Sequence, residues 1–442
     1  MKRSKWYIGS LMLLLSSIVT ACGGGSAAKP ADAKPSDAKP AASGGEAAKP
    51  KGDPVKLVMY SWRPEDKDGY AKIVAEFEKD NPDIKVEFKP FKSTEYNTIL
   101  TNALQSGTGV DVLQLRPYDG AKALADAGYL TPVDKVKGIE NIPDSYLDAA
   151  RGSDKKVYGI PIMLNNAVIF YNKKLFDDNG LQVPQTWDEF VKTCDALKAK
   201  NIIPIAQSGK AAYLLSTTHA VIGPSAYGGG TDFMNAVLSG ATNFKDAKFV
   251  ESIKRMKQLE AYFPKDFVAI EDKDAQALFY TSKAAMYING SQRLETFETN
   301  KVAFPVEFMP GLSGKKGDPA PIATWVDGSY GIAKSSKHQE QALKLIEFIA
   351  SKKFGQMYSD ELTRVSPING VAPKHPQLQK MAAYAEKNST PYLLLTKFSQ
   401  GTPTTKTTFE DSLQGMYIGK LTPEKVAEDT QASADKWFKP QK

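Results

Sequence analysis

Aromatic and charged side chains follow two apolar stretches of the sequence, at the points where those stretches end. They are Trp62, Arg63 and Glu65 after the stretch at 55–60, and Arg116, Tyr118 and Asp119 after the stretch at 110–115. A sugar ring has an apolar C–H face and hydroxyl groups that both donate and accept hydrogen bonds. Because a stacking ring beside a guanidinium and a carboxylate suits such a molecule, the two clusters predict a binding site for a polyhydroxylated ligand.

The elements that must position these clusters alternate between strand and helix. The apolar runs at 55–60, 84–88 and 110–115 read as strands, and the segments between them carry apolar residues at helical spacing. This alternation predicts an α/β fold with a parallel sheet and helices on both of its faces. Ligands of such sheets bind beyond the carboxyl ends of the strands, where the two clusters lie.

The sequence has five tryptophans that could serve as stacking platforms. Trp6 falls in the apolar stretch near the N-terminus, and Trp187 and Trp437 fall on the apolar faces of amphipathic helical patterns. Trp62 and Trp325 lie in predicted loops instead. These two are therefore the candidate platforms for a sugar ring.

Residues 1–21 have the pattern of an export signal, with basic residues at 2, 3 and 5 before an uncharged stretch at 6–21. The stretch is shorter than the roughly 20 apolar residues that span a bilayer and closes on small residues, which favours a signal peptide. Residues 19–22, Val-Thr-Ala-Cys, resemble the lipobox of bacterial lipoproteins, and that resemblance implies a lipid anchor on Cys22. An ordinary signal peptide followed by a chance cysteine is the alternative.

The segment from Cys22 to residue 53 is a predicted linker. It consists almost wholly of Gly, Ala, Ser, Pro, Lys and Asp, and Lys-Pro recurs at 29, 34, 39 and 49. Low hydrophobicity and frequent proline favour a disordered, partly extended spacer, so we expect it to hold a folded domain away from a membrane surface.

Charge and motif content argue against several other functions. The chain has 57 Lys and Arg against 50 Asp and Glu, scattered along the sequence, so we expect no nucleic-acid partner. His219, His338 and His375 lack neighbours at metal-ligand spacing, and we expect neither a metal nor another cofactor. The sequence contains no recognisable catalytic motif, which favours a protein that is not an enzyme. Acidic pairs such as Glu65 and Asp66 are typical of surface loops, with a glycosidase pair as the alternative.

Several longer strings resemble the extracellular solute-binding proteins of ATP-driven (ABC) importers, in the family that includes maltose-binding protein. The strings are GTGVDVLQLRPYDGAKALADAGYLTPVD (107–134), VYGIPIMLNNAVIFYNKKLFDDNGLQVPQTWDEF (157–190), KAAMYINGSQ (283–292) and WVDGSYGIAKSSKHQEQALKLIEFI (325–349). Two departures stand out. The strand ending in Gln114 and Leu115 lacks an aromatic residue that many relatives have. Ser291-Gln292-Arg293 stands where relatives commonly have a glycine or a proline together with a tryptophan.

The resemblance implies a two-lobed, periplasmic-binding-protein-like (type II) α/β fold with crossing strands and a ligand cleft between the lobes. Chain order suggests a first lobe of 54–163 plus 284–333 and a second of 164–283 plus 334–442. Carried over residue by residue, the cleft would also hold Asn165, Asn166, Ser291, Gln292, Arg293, Trp325 and Asp327. Tyr213 and Phe398 are candidate ligand contacts from the second lobe.

These observations lead to one preferred hypothesis and two alternatives. We expect a monomer on the extracellular face of the membrane, anchored through Cys22, that captures a carbohydrate, most simply an oligosaccharide, for an ABC permease. One alternative is a surface-anchored enzyme that acts on polysaccharide. The other keeps the binding role but changes the solute to a peptide, an amino acid or a polyol.

Overall fold

The computed structural model describes residues 53–440. The predicted signal peptide, the anchor at Cys22 and the predicted linker up to residue 52 lie outside the described residues. The strands are β1 (Val55–Ser61), β2 (Ile84–Pro90), β3 (Val112–Leu115), β4 (Leu130–Thr131), β5 (Ile160–Pro161), β6 (Leu164–Asn172), β7 (Ile203–Ala206), β8 (Ala284–Gly290), β9 (Val306–Met309), β10 (Ile322–Val326), β11 (Ser329–Ala333) and β12 (Ser389–Pro391).

Seventeen α-helices connect these strands within the described part of the chain. They are α1 (Lys67–Asp80), α2 (Ser93–Ser106), α3 (Asp119–Asp126), α4 (Asp144–Leu147), α5 (Lys173–Asp178), α6 (Trp187–Ala199), α7 (Tyr213–Ile222), α8 (Gly230–Ser239), α9 (Ala247–Leu259), α10 (Asp272–Tyr280), α11 (Arg293–Thr299), α12 (Gln339–Ile349), α13 (Lys352–Leu362), α14 (Pro376–Asn388), α15 (Leu393–Lys397), α16 (Thr405–Tyr417) and α17 (Pro423–Ala434).

The first sheet has the strand order β2-β1-β3-β11-β4, with β5 beside β11. Strands β2, β1 and β3 are parallel, as the sequence predicts, whereas β11 runs antiparallel to β3. Leu57 and Met59 of β1 pack in a core with α1, α12 and α13, and Tyr60 packs in a second core with α2. Helices therefore cover both faces of this sheet.

The second sheet has the order β12-β10-β6-β8-β7, with β9 also paired to β6. Its central strand, β6, is buried at nearly every position, and it runs antiparallel to β8, β9 and β10. One core includes residues of β6 and of helices α6, α7, α9 and α16, and a smaller core includes residues of α10, α11 and α14. This sheet and its helices form the second lobe.

The predicted lobe boundaries were wrong for two segments. The prediction placed 284–333 in the first lobe, but β8, β9 and β10 all pair in the second sheet and only β11 joins the first. It also placed 334–442 in the second lobe, but α12 and α13 pack on the core of the first sheet. The reason for the first error is that β8 is buried at every position and pairs with both β6 and β7, so it lies inside the second sheet.

Of the two tryptophans predicted to lie on helix faces, one lies outside its helix. Trp187 begins α6 as predicted, and the Thr186 side chain caps this helix by accepting from the Glu189 backbone N–H. Helix α17 ends at Ala434, so Trp437 lies just beyond it, where its indole Nε1–H donates to Thr405 Oγ1 at 2.9 Å. Between residues 53 and 440, no helix is both long and apolar enough to cross a bilayer.

His219 lies in the aromatic core of the second lobe. Its ring centroid is 4.9 Å from that of Phe409 and 5.4 Å from that of Phe249, and its Nε2 is 2.8 Å from Ser252 Oγ. The Ser252 hydroxyl donates to the Phe249 carbonyl, so it accepts from the imidazole N–H. Burial lowers the pKa of His219 to about 3, and the neutral ring is therefore the folded form at neutral pH.

We predict that His219 makes the protein less stable in mild acid. An unfolded histidine binds a proton below about pH 6.5, whereas the folded one stays neutral until about pH 3, so stability present above pH 6.5 is lost as the pH falls. Relative to His219→Gln, the wild type should lose about 1.4 kcal/mol of unfolding free energy per pH unit between pH 6 and 4. Urea unfolding at several pH values measures this, and a pH-independent difference between the two proteins contradicts it.

Candidate functional site

Within residues 53–440, three segments of chain cross between the two lobes and lie side by side. They join β5 to β6, β10 to β11, and α13 to α14. The Asp327 N–H donates to the Met163 carbonyl at 3.0 Å, and the Leu164 N–H donates to the Val365 carbonyl at 2.8 Å. These backbone hydrogen bonds hold each crossing against the next. The predicted residues that flank the crossings therefore lie close together.

The centre of this place is the carboxylate of Asp327. Arg63, from the end of β1, places Nη2 2.5 Å from Asp327 Oδ2, and Asn165 Nδ2 donates to the same oxygen at 3.1 Å. The side-chain oxygen of Asn165, Oδ1, accepts in turn from Ser291 Oγ at 2.8 Å. Glu65 stands 3.7 Å from Arg63 Nη1 and is half-exposed. Predicted residues from both lobes and a crossing therefore form one polar network.

The second lobe contributes a wall built around Asp272, at the start of α10. Its carboxylate accepts from Arg293 Nη2 at 2.6 Å, from the Tyr287 hydroxyl at 2.7 Å and from the Tyr213 hydroxyl at 3.3 Å. Tyr213 keeps 44% of its surface exposed, although its hydroxyl is held in this way. Tyr213 and Arg293 were predicted as site residues, whereas sequence reasoning missed Asp272.

The first lobe contributes a wall in which a guanidinium covers a tryptophan. Arg116 lies over the Trp62 ring, 4.2 Å from its centroid, and its Nη2 donates to the carbonyl and the hydroxyl of Ser93 at 2.8 and 2.9 Å. Arg116 is half-buried, and burial lowers its pKa to about 10, so it remains a cation at neutral pH. The charges of Asp327 and Tyr213 oppose this lowering of the pKa of Arg116.

The two predicted platforms are less accessible than expected. Trp62 and Trp325 are only 4% and 8% exposed. Trp62 stands edge-on to Tyr96 and against Gly328, whose φ of 102° and lack of a Cβ allow the close approach, and Trp325 stands edge-on to Tyr392. Both rings lie beside the crossings, where they pack against other residues of the protein. The exposed aromatic ring described at this site is that of Tyr213.

Tyr118 and Asp119 lie at a cavity of about 680 Å³ between the lobes. The Tyr118 hydroxyl accepts from the Val326 N–H of β10 at 3.0 Å. Burial raises the pKa of Asp119, and a hydrogen bond from Gln400 of the second lobe opposes that shift. Lys122 and Arg151 of the first lobe and Lys397 of the second also line this cavity.

The remaining predicted residues turn inward. Asn166 is buried and donates through Nδ2 to Thr324 Oγ1 at 2.8 Å, and Gln292 donates to Asn289 Oδ1 at 3.3 Å. Phe398 is fully buried, with its ring centroid 4.8 Å from that of Phe244. The prediction that Phe398 contacts a ligand is wrong, because that ring belongs to the second lobe's core.

Gln114 explains one of the noted departures from the family pattern. Its side chain is buried, and Oε1 accepts from Ser61 Oγ at 2.8 Å and from the Trp62 N–H at 3.2 Å. Gln114 therefore fixes the loop that carries Trp62 and Arg63, a role that an aromatic residue could not fill.

Arg364, in the third crossing, is a second residue that sequence reasoning missed. It is buried, with Nη2 2.9 Å from Asp66 Oδ1 of the first lobe and 2.7 Å from Glu295 Oε2 of the second. These carboxylates come from positions far away in the sequence. Arg364 therefore ties both lobes to the crossing.

Two sheet-based lobes, three crossings and a polar cleft walled from both sides define a protein that encloses a small solute. A family profile described as "Bacterial extracellular solute-binding protein" matches residues 61–356. The chain belongs to this family, which confirms the resemblance seen in the sequence.

The named relatives agree with this family. The chain is 26% identical over 321 residues to the "Multiple sugar-binding protein" of Streptococcus mutans, which covers 71% of this chain and 76% of the relative. It is 25% identical over 390 residues to the "Galactooligosaccharide-binding protein" of Bacillus subtilis, covering 84% and 87%.

Solved structures confirm the two-lobed fold. A "Chitin oligosaccharide binding protein" superposes with a TM-score of 0.73 at 26% identity, covering 87% of this chain and 99% of that one. "SBP RafE in complex with raffinose" superposes with a TM-score of 0.74 at 22% identity, covering 86% and 98%.

We predict that Arg364 is needed for stability, and that a matched surface lysine is not. Arg364→Met leaves Asp66 and Glu295 without their shared cation in a buried place, which should lower the unfolding free energy by about 3–5 kcal/mol. Lys353→Met is the control, since Lys353 also bridges two carboxylates, Glu76 and Asp80, but at the surface. It should change stability little.

Urea unfolding of the two variants beside the wild type makes this measurement. Equal, small losses for both variants would show that the buried network adds no more than a surface ion pair.

Proposed function

We propose that this protein is a lipid-anchored, extracellular binding component of an ABC importer that captures a carbohydrate between its lobes. The observation that carries the proposal is the network at the crossings, where Arg63 of the first lobe and Asn165 of the second both bind Asp327. The exposed ring of Tyr213, held by Asp272, adds an aromatic surface in the second lobe. The family assignment supports the binding role, and the names of the two relatives support a sugar as the solute.

The placement of groups suits a ligand that closes the cleft. Arg63 and Arg116 belong to the first lobe, and Tyr213 and Arg293 to the second. A ligand shifts an open-to-closed equilibrium only through contacts that differ between the two states. A sugar that touches both walls makes such contacts, with its apolar face on Tyr213 and its hydroxyls on the charged side chains.

The anchor and the partner follow from the same proposal. Two acyl chains on Cys22 would hold the protein on the membrane, since each buried methylene contributes roughly 0.8 kcal/mol. A flexible tether would raise the effective concentration of the binding domain near a permease. We propose a monomer, with no catalytic step and no cofactor.

The proposal is tested with a thermal-shift panel of oligosaccharides, monosaccharides, polyols, amino acids and peptides on the full-length protein. A ligand at 100 times its Kd adds about 2.7 kcal/mol of stability and should raise the Tm by several degrees. Unchanged sugar recovered from the complex supports a binder, and shorter products would establish an enzyme. A response to peptides with none to any carbohydrate overturns the proposed solute.

We predict that Tyr213→Ala weakens binding of the responding sugar by about ten-fold or more. Loss of a buried aromatic contact with the sugar removes roughly 1.5–3 kcal/mol, which corresponds to this change in Kd. Leu343→Ala is the control, because Leu343 is an exposed apolar residue on α12, whose opposite face packs on the first lobe. Calorimetric titration gives both Kd values, and equal affinity in the two variants would remove Tyr213 from the site.

A further inference from the structure

We propose that the cleft selects an anionic saccharide, with a uronate carboxylate of the ligand bound by Arg116. This inference rests on the proposed function, because it names the class of sugar for the same site. It is carried by the difference between Arg116 and the other arginines near the crossings.

Those other arginines already have carboxylate partners within the protein. Arg63 lies 2.5 Å from Asp327, Arg293 lies 2.6 Å from Asp272, and Arg364 lies 2.9 Å from Asp66. In each case a buried or nearly buried guanidinium is neutralised, as the cost of burying an unpaired charge requires.

Arg116 differs, because no carboxylate of residues 53–440 forms a salt bridge with it. Its hydrogen-bond acceptors are neutral: the carbonyl and hydroxyl of Ser93, and Asn97 Oδ1 at 3.3 Å from Nε. Asp327 acts on it only at longer range, and Oδ2 of that carboxylate already binds Arg63 and Asn165.

The contacts of Arg116 also fix its orientation. One face of the guanidinium lies on Trp62, Nε donates to Asn97, and Nη2 donates to Ser93. Nη1 has no acceptor among the described residues. A preorganised guanidinium loses little freedom when it binds an oxygen anion.

An anion suits this position better than a hydroxyl group does. A hydroxyl accepts a hydrogen bond but leaves the half-buried positive charge uncompensated, whereas a carboxylate neutralises it through a charge-assisted bond. Elsewhere in the cleft the protein supplies that carboxylate itself. At Arg116 we infer that the ligand supplies it, from a sugar whose ring can rest on Tyr213 across the cleft.

The experiment compares two ligands with the same sugar backbone, trigalacturonate, whose carboxylates are ionised, and its methyl ester, in which they are esterified and uncharged. Calorimetric titrations use the full-length wild type, Arg116→Gln, Arg116→Lys and Lys344→Gln. The last removes one exposed cation from α12 and controls for net charge. Circular dichroism and Tm establish that each variant is folded.

We expect the wild type and Lys344→Gln to bind the acid about ten-fold more tightly than the ester. In Arg116→Gln the Kd values of the acid and the ester should converge. Arg116→Lys should keep part of the preference for the acid, since lysine retains the positive charge but lacks the planar, bidentate donors of a guanidinium. The preference should also shrink at high salt.

Several results overturn the inference while leaving the proposed function intact. They are equal binding of acid and ester by the wild type, an unchanged preference in Arg116→Gln, and binding of neutral oligosaccharides alone. A response to glucose 1-phosphate with none to glucuronate or trigalacturonate overturns the uronate assignment. A protein that binds no saccharide at all fails the proposed function itself.

Discussion

Largely buried arginines lie at and near the crossings between the lobes, and each needs a negatively charged partner because it is shielded from water. Arg63, Arg293 and Arg364 find theirs in Asp327, Asp272 and Asp66. An unpaired charge there would cost several kcal/mol, so the partners must arrive together when the chain folds. The hydrophobic cores lie within the separate lobes, whereas the pairs made by Arg63 and Arg364 join the lobes to the crossings.

This constraint explains why the cleft is polar and still well ordered. Asp327 binds Arg63 and Asn165 at once, and Asn165 is held in turn by Ser291, so the network has little freedom to rearrange. A rigid set of donors and acceptors loses less conformational entropy when a ligand binds. The exposed ring of Tyr213, tethered through its hydroxyl to Asp272, has the same property.

The sequence allowed the local elements to be predicted, because strand and helix periodicity is written in neighbouring residues. Strands β1, β2 and β3 and the helices between them follow that pattern. The choice of sheet for β8 is different. Its apolar run fits either sheet, and its partners β6 and β7 lie far away along the chain, so chain order alone assigned it to the wrong lobe.

The site also combines residues that could be predicted from the sequence with residues whose role depends on distant contacts. Arg63 was predicted because it follows a strand end, and Asn165, Ser291 and Asp327 because the family resemblance implied them. The structure joins all four in one network. Tyr213 and Phe398 had equal standing in the sequence, since nothing local reveals whether a ring faces a cleft or a core. Asp272 was missed for a related reason. An acidic residue in the first turn of a helix is common, and only the folded chain brings Arg293, Tyr287 and Tyr213 to it.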